Sequence, residues 1–186
     1  MRSFRHLVVA WIALALLQFG AAEAKSKKPI RLVEGQTVSQ QVVSTIAVRA
    51  LKKAGFKSEL VTMPDAEAPA ALTDGSAHVH LSMPNGGAGS SLAEMLAQDR
   101  VLSLGGLRGN KPDEPVLKVV SLSLKKRWPY AQKMLKRMVL KPEVILSLAA
   151  EVEAGKPVDD AVADWWKANR KIWKPWVAAS TNWMKP

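Results

Sequence analysis

A polar turn directly after the first predicted strand carries the side chains best suited to hold a small ligand. Residues 30–33 (Ile-Arg-Leu-Val) are typical of a short strand, and Gln36, Thr37 and Ser39 follow it. Open α/β sheets bind ligands just beyond the carboxyl ends of their strands, so these three side chains are candidate ligand contacts. The alternative interpretation is that Ser39 simply caps the next helix, because Ser is favoured at that position.

Two histidines and a glycine-rich loop are weaker candidates. His78 and His80 alternate on a predicted strand, so their side chains should face the same side and would suit a metal ion. Their neighbours in sequence do not complete a ligand set, so we predict no metal and no cofactor. The loop 86–91 would offer backbone N–H groups to an anion at a helix start. It lacks the Lys of a phosphate-binding loop, which favours a flexible connection instead.

The sequence contains no constellation of residues that would perform catalysis. Because the chain has no Cys, it excludes a thiolate nucleophile, a zinc–thiolate site and an iron–sulfur cluster. Ser and His are present, but none lies in a Gly-x-Ser-x-Gly elbow or a comparable nucleophile motif. We therefore predict that this protein is not an enzyme.

The N-terminus has the three parts of a cleaved signal peptide. Arg2 and Arg5 give a positive start, residues 7–19 are almost entirely apolar, and residues 22–24 supply the small-x-small pattern of a cleavage site. The apolar run is shorter than the roughly 20 residues that span a bilayer. An uncleaved membrane anchor is the alternative. We predict a signal peptide over 1–24, a single domain over 25–186, and a location in the periplasm.

After the signal peptide, hydrophobic periodicity predicts an α/β fold. Two successive strand–helix–strand units indicate a parallel sheet with right-handed crossovers. Beyond Lys125 the pattern becomes helical, and Trp128-Pro129, Pro142 and Pro157 each open a helix. The predicted strands cover 30–33, 58–63, 77–81, 101–104 and 117–121. Three helices are predicted between them: one that begins at Ser39, one over 66–72, and one that ends at Gln98.

Several motifs at the two ends of the mature chain are distinctive when taken together. The first stretch contains RALKKAGFKSELV over 49–61 and AALTDGSAHV over 70–79. The second has Arg127-Trp128-Pro129 at the start of a helix, then EVEAGKP over 151–157 and AVADWW over 161–166, and closes with WKPW over 173–176.

Through these motifs, residues 30–84 and 124–177 resemble the periplasmic substrate-binding proteins of glycine betaine, proline betaine and choline ABC transporters. The resemblance implies a single lobe of a periplasmic-binding-protein-like fold: a mostly parallel sheet flanked by helices, with a helical C-terminal region. Family members have two lobes around the ligand, whereas residues 85–123 are far fewer than the roughly 100 of a typical domain. We therefore expect most of the second lobe to be missing or reduced to a hairpin-like stub.

The resemblance also implies a ligand, a partner and two further contacts. The family has a Trp where this chain has Met83, before the Pro that ends the third strand, so one wall of an aromatic cage is absent. With Met83 and Asn85 added to Gln36, Thr37 and Ser39, the expected ligand is a small betaine-like zwitterion. The expected partner is an ABC permease at the inner membrane, and a homodimer would complete the cleft. Because the signal peptide predicts export, no nucleic acid partner is expected.

Two compositional features support alternative interpretations. Six Trp lie beyond the predicted cleavage site, and five of them have spacings typical of helix packing rather than of a cation cage. The net charge is +11, and seven Lys and Arg fall within 125–141. These charges are typical of a solvated face, but they would also suit an exported interaction protein that docks a partner or a membrane surface. The six Trp are Trp128, Trp165, Trp166, Trp173, Trp176 and Trp183.

Overall fold

A single five-stranded sheet organises the part of the chain that the structure describes. The computed structural model describes residues 28–87, 89–109 and 111–181, so the predicted signal peptide and Trp183 lie outside it. The strands are β1 (Ile30–Glu34), β2 (Ser58–Thr62), β3 (Val79–Pro84), β4 (Val101–Gly106) and β5 (Val116–Ser121).

Helices connect and follow these strands. They are α1 (Val38–Lys53), α2 (Ala68–Asp74), α3 (Ser91–Ala97), α4 (Leu122–Arg127), α5 (Pro129–Arg137), α6 (Pro142–Glu153), α7 (Val158–Ala168) and α8 (Arg170–Thr181). The helices that begin after Trp128, at Pro142 and after Pro157 confirm the sequence prediction. In the described ranges, no helix is both long and apolar enough to cross a membrane.

The strand order is β2-β1-β3-β5-β4, and all strands but one run the same way. β1 pairs in parallel with both β2 and β3, with Leu32 opposite Leu60 on one side and Val79 on the other. β5 is antiparallel to both of its neighbours, β3 and β4. The sheet is therefore mostly parallel, as predicted. The carboxyl ends of β1 to β4 and the amino end of β5 share one edge, which we call the carboxyl edge.

Strand alternation sends side chains into two separate apolar layers. In β1, Ile30 and Leu32 pack with α1 and the C-terminal helices, while Val33 packs with α2 and α3 on the opposite face. The stripe predicted for α1 is fully buried in the first layer. That stripe consists of Val42, Val43, Ile46, Ala47, Ala50 and Leu51.

The tryptophans of α7 and α8 pack against one another. The Trp166 and Trp173 rings stack with centroids 4.3 Å apart, and the indole N–H of Trp173 donates to the Trp166 carbonyl at 2.7 Å. Trp165 stacks on Trp176 at 6.4 Å. These four rings form the structure's aromatic cluster, which joins the two last helices rather than enclosing a cation.

The segment between the two resembling stretches does not form a second lobe. Its strands, β4 and β5, both join the sheet that β1 to β3 begin. The described residues therefore contain one sheet and one lobe. The 85–123 segment instead contributes α3 and the β4–β5 hairpin, and β5 joins this hairpin to the sheet by pairing with β3.

Candidate ligand-binding site

A cavity of about 380 Å³ opens at the carboxyl edge of the sheet. Loops that follow β1, β2 and β4, the end of β3 and the start of α6 all contribute to it, which is the position expected for a ligand in an open α/β sheet. Its volume is in the range of small-molecule sites, roughly 300–1,000 Å³. The polar side chains that line it are Thr37, Ser39, Gln40, Asp65, Ser82 and Arg108.

The N-terminus of α1 is fixed by a capping box. Thr37 has an extended backbone, its hydroxyl oxygen accepts the Gln40 N–H at 3.3 Å, and its own N–H donates to Gln40 Oε1 at 2.9 Å. The alternative interpretation, in which Ser39 caps this helix, is therefore wrong. A Thr three residues before a Gln satisfies two N–H groups at once, whereas Ser39 already lies inside the helix.

Gln40 also extends from the helix start into the cavity. Its Nε2 donates to Asp65 Oδ2 at 2.8 Å. Gly35 permits this arrangement, because a Cβ at that position would overlap the Gln40 side chain. The same amide therefore completes the cap with its oxygen and orients the Asp65 carboxylate with its nitrogen.

Asp65 carries the negative charge of the cavity. Its Oδ1 lies 3.2 Å from His80 Nε2, and its side chain remains 37% exposed. His80 Nδ1 accepts the Ser82 N–H at 3.1 Å, so Nε2 is the nitrogen that carries the proton and donates to Asp65. Burial lowers the pKa of His80, against the opposing effect of Asp65. A neutral His80 orients the carboxylate without neutralising it.

Arg108 supplies a positive charge at the same cavity. It lies in the loop between β4 and β5, and its side chain is exposed. Glu114 folds this loop by accepting the Arg108 N–H at 2.8 Å and the Lys111 N–H at 3.3 Å. Gly106 allows the carboxylate that close, because a Cβ there would overlap it. Among the described residues, no ion pair involves the Arg108 guanidinium.

The remaining wall of the cavity is aliphatic. Leu146, on α6, is 64% exposed at its rim. The described residues that line the cavity include no Phe, Tyr or Trp. The arrangement therefore offers one carboxylate, one guanidinium and an aliphatic surface. The principal aliphatic contributors are Val43, Leu107, Val116, Ile145 and Leu146.

The structure brings only part of the predicted contact set to this cavity. Thr37 and Ser39 line it, while Gln36 is exposed and lies outside the lining. Met83 is 3% exposed and packs with the α2 and α3 layer. Asn85 also lies outside the lining. Its side-chain Nδ2 donates to the Glu114 carbonyl at 3.1 Å and so fixes the backbone just before β5.

The displacement of Met83 has a local cause. The pairing between β3 and β5 shifts register between His80 and Met83. Such an irregularity interrupts the two-residue alternation of a strand. Leu81 therefore packs in the α1 layer and Met83 in the opposite layer, although ideal alternation would put them on the same face.

Sequence reasoning missed Asp65 and Arg108. Asp65 follows the second strand, so the rule that selected the turn after β1 would also have selected it. Arg108 also follows a predicted strand, but its approach to the cavity depends on how Glu114 folds the loop between β4 and β5.

The two histidines that were predicted to share one face of a strand, His78 and His80, contact different partners. His78 Nδ1 accepts the Arg31 N–H at 2.9 Å, and its ring meets the edge of Trp128 with centroids 4.9 Å apart. Burial, with the nearby Arg31 and Arg127 charges, lowers the pKa of His78 to about 4. His80 contacts Asp65 instead. Within the described ranges, no group of three or more His, Asp or Glu has the geometry to hold a metal ion.

The glycine-rich loop ends at Ser90, which caps the N-terminus of α3. Ser90 Oγ accepts the Ala93 N–H at 3.1 Å and so occupies the start of α3. The structure therefore favours the connecting role over anion binding for this loop.

The same fold occurs in solved binding proteins. Lactococcal OpuAC, in a closed-liganded conformation with glycine betaine, aligns with a TM-score of 0.66 and 13% identity, over 81% of this chain and 100% of that chain. An ABC-transporter choline-binding protein in complex with choline gives 0.64 and 10%, over 83% and 97%. The glycine/betaine/L-proline-binding protein ProX from Borrelia burgdorferi gives 0.68 and 10%, over 83% and 99%.

Sequence comparison adds no further relative: no family model matches the chain, and no curated protein matches it either. The evidence for the fold of this chain is therefore the match to solved structures. This chain has the periplasmic-binding-protein-like fold of the betaine and choline binding proteins, and its described residues form one lobe, as the sequence resemblance predicted.

Proposed function

We propose that this protein is the solute-binding component of an ABC transporter for glycine betaine or a related small zwitterion. It is exported to the periplasm by a signal peptide over 1–24 and functions as a single domain over 25–186. It binds its ligand reversibly, performs no chemistry on it and delivers it to a permease at the inner membrane.

The observation that carries this proposal is the pair of opposite charges at one cavity. Asp65 and Arg108 both line the space at the carboxyl edge. A zwitterion presents a cation and a carboxylate a few ångströms apart, so a site with both counter-charges satisfies each end. Arg binds carboxylates through a planar pair of N–H donors, and Asp65 is suited to the cationic end.

The fold supports a binding role over a catalytic one. The solved proteins with this fold are described as binding proteins for glycine betaine, choline or proline. In the described residues a single lobe borders the cavity, and Leu146 at its rim is exposed. We propose that the permease or a second copy of the chain closes the cavity over this rim.

Calorimetric titration of the purified chain with glycine betaine, choline and proline betaine tests the proposal. We expect heat that saturates at micromolar concentrations of at least one of these ligands. Arg108→Gln should weaken binding of the zwitterions by about ten-fold, because it removes the carboxylate partner. The matched control is Arg100→Gln, which removes the same charge before β4, at the opposite edge of the sheet. Silence across all three ligands would contradict capture of such a solute.

One feature favours a second candidate function. The seven Lys and Arg within 125–141 are all exposed on and around α4 and α5, and the stretch from Val116 to Lys141 contains no acidic residue. An exported interaction protein that kept the fold and lost its ligand would use this basic face to dock. Silent calorimetry, together with salt-sensitive sedimentation with anionic phospholipid vesicles, would favour that function.

A further inference from the structure

The cavity is built differently from a site for a quaternary ammonium ion. Such an ion has no N–H to donate, so it is usually held by the faces of aromatic rings. The described residues that line this cavity include no aromatic ring. The tryptophans whose ring contacts the structure describes pack elsewhere: Trp128 packs on His78, and the cluster in α7 and α8 stacks on itself.

The cavity instead presents a carboxylate that still has acceptor capacity. A carboxylate has about four lone-pair positions. Gln40 occupies one position on Oδ2 and His80 one on Oδ1, which leaves one on each oxygen. The side chain is 37% exposed and lines the cavity, so these positions are available to a bound molecule.

The two neighbours also fix where those positions point. Gln40 is held by the capping box of α1, and His80 is almost fully buried in β3. A carboxylate held from two rigid elements loses little further freedom when a ligand binds, and this preorganisation favours a directional hydrogen bond.

From this geometry we infer that the site selects a zwitterion whose ammonium group keeps at least one N–H, which donates to Asp65, over its fully methylated counterpart. The inference rests on the proposed function, because it requires that the cavity binds a zwitterion. Arg108 receives the carboxylate, and the aliphatic wall contacts any N-methyl groups that remain.

A methylation series on one small molecule tests this selection directly. Glycine, N-methylglycine, N,N-dimethylglycine and glycine betaine share one carboxylate and differ in the number of N–H groups: three, two, one and none. We expect N,N-dimethylglycine to bind about ten-fold more tightly than glycine betaine, because the last methylation removes the only hydrogen bond to Asp65. The wild-type chain alone suffices for this measurement by calorimetry.

Two variants assign the preference to its residue. Asp65→Asn should reduce the ratio between N,N-dimethylglycine and glycine betaine to about two-fold or less, since the charge that strengthens the bond is gone. Glu153→Gln, which makes the same charge change on the exposed end of α6 outside the cavity, should leave the ratio unchanged.

The outcomes separate this inference from the proposed function. If glycine betaine binds as tightly as N,N-dimethylglycine or more tightly, the selection is wrong and solute binding stands. If the ratio persists in Asp65→Asn, the selection has another cause and the assignment to Asp65 is wrong. If no member of the series binds, the proposed function is wrong and the inference is overturned with it.

Discussion

The layer of C-terminal helices and the cavity at the carboxyl edge use opposite kinds of side chain. In the helical layer, Trp166 and Trp173 stack on each other and bury most of their surface. At the cavity, Asp65 and Arg108 supply charge, and aliphatic residues supply the rest of the lining. In the described residues the stacked tryptophans therefore serve helix packing, and the charged pair marks the cavity where we propose that a ligand binds.

The sharpest test of that division removes a ring from the helical layer. Trp173→Ala should lower the free energy of unfolding by about 3–5 kcal/mol, because it leaves a large cavity and removes the N–H donor to the Trp166 carbonyl. Urea denaturation measures the loss. Trp173→Phe, which keeps a ring, should lose less. Ligand affinity below the unfolding transition should stay within two-fold, and a large loss of affinity would break the division.

A buried cation in the helical layer gives the next largest effect. Lys118 is 0% exposed, and its Nζ donates to the carbonyls of Lys136 and Met138 at 3.0 and 2.8 Å. Burial lowers its pKa from 10.5 to about 8, with Lys136 adding to the shift and Glu114 opposing it. The unfolded chain binds more protons than the folded chain between these values. Stability should therefore rise with pH from about 8 to 10.5, by up to about 3 kcal/mol.

Denaturation of wild type and Lys118→Met at several pH values measures that contribution. The difference between their stabilities should change across the alkaline window and stay constant between pH 6 and pH 7.5. A difference that does not vary with pH would show that Lys118 keeps its ordinary pKa in the folded protein.

His78 should contribute a similar effect on the acid side. Its pKa is about 4 in the folded protein, against the ordinary value of 6.5 in the unfolded chain, so the unfolded chain again binds more protons between these two values. Stability should fall as pH drops from 6.5 towards 4, by up to about 3 kcal/mol. His78→Asn keeps an acceptor for the Arg31 N–H and should remove this part of the acid loss. An acid slope equal to that of wild type would contradict the assignment.

The smallest effect on stability should come from the cavity side. Gly35→Ala forces the Gln40 side chain away and weakens both the cap of α1 and the support of Asp65. We expect a loss of about 1 kcal/mol in unfolding free energy, typical of a damaged cap, and a several-fold loss of zwitterion affinity. Thr37→Ser, which retains the capping hydroxyl, is the conservative control. Unchanged affinity in Gly35→Ala would show that Gln40 does not orient Asp65.

The elements with strong periodicity were predictable from the sequence, and those fixed by tertiary context were not. The stripe from Val42 to Leu51 specified α1, and proline marked the starts of three later helices. α4 has only six residues, too few for a period, and α8 contains Pro175, which normally signals a helix end.

The position of the candidate site was predictable from the sequence, but the set of residues that line it was less so. The carboxyl-edge rule selected Thr37 and Ser39, and both line the cavity. It could not foresee the register shift that turns Met83 away from it, because a bulge depends on how β3 meets β5. Arg108 depends in the same way on Glu114, which is six residues away along a loop.

The place of β5 between β3 and β4 also constrains how the chain assembles. β4 pairs with β5 alone, so it cannot join the sheet before β5 does. The two strands are neighbours in sequence and form a hairpin, a local structure that closes quickly. Amide protons of β4 should therefore exchange with solvent at least as fast as those of β5, and an opening that frees the β3–β5 seam would release the whole hairpin as one cooperative unit.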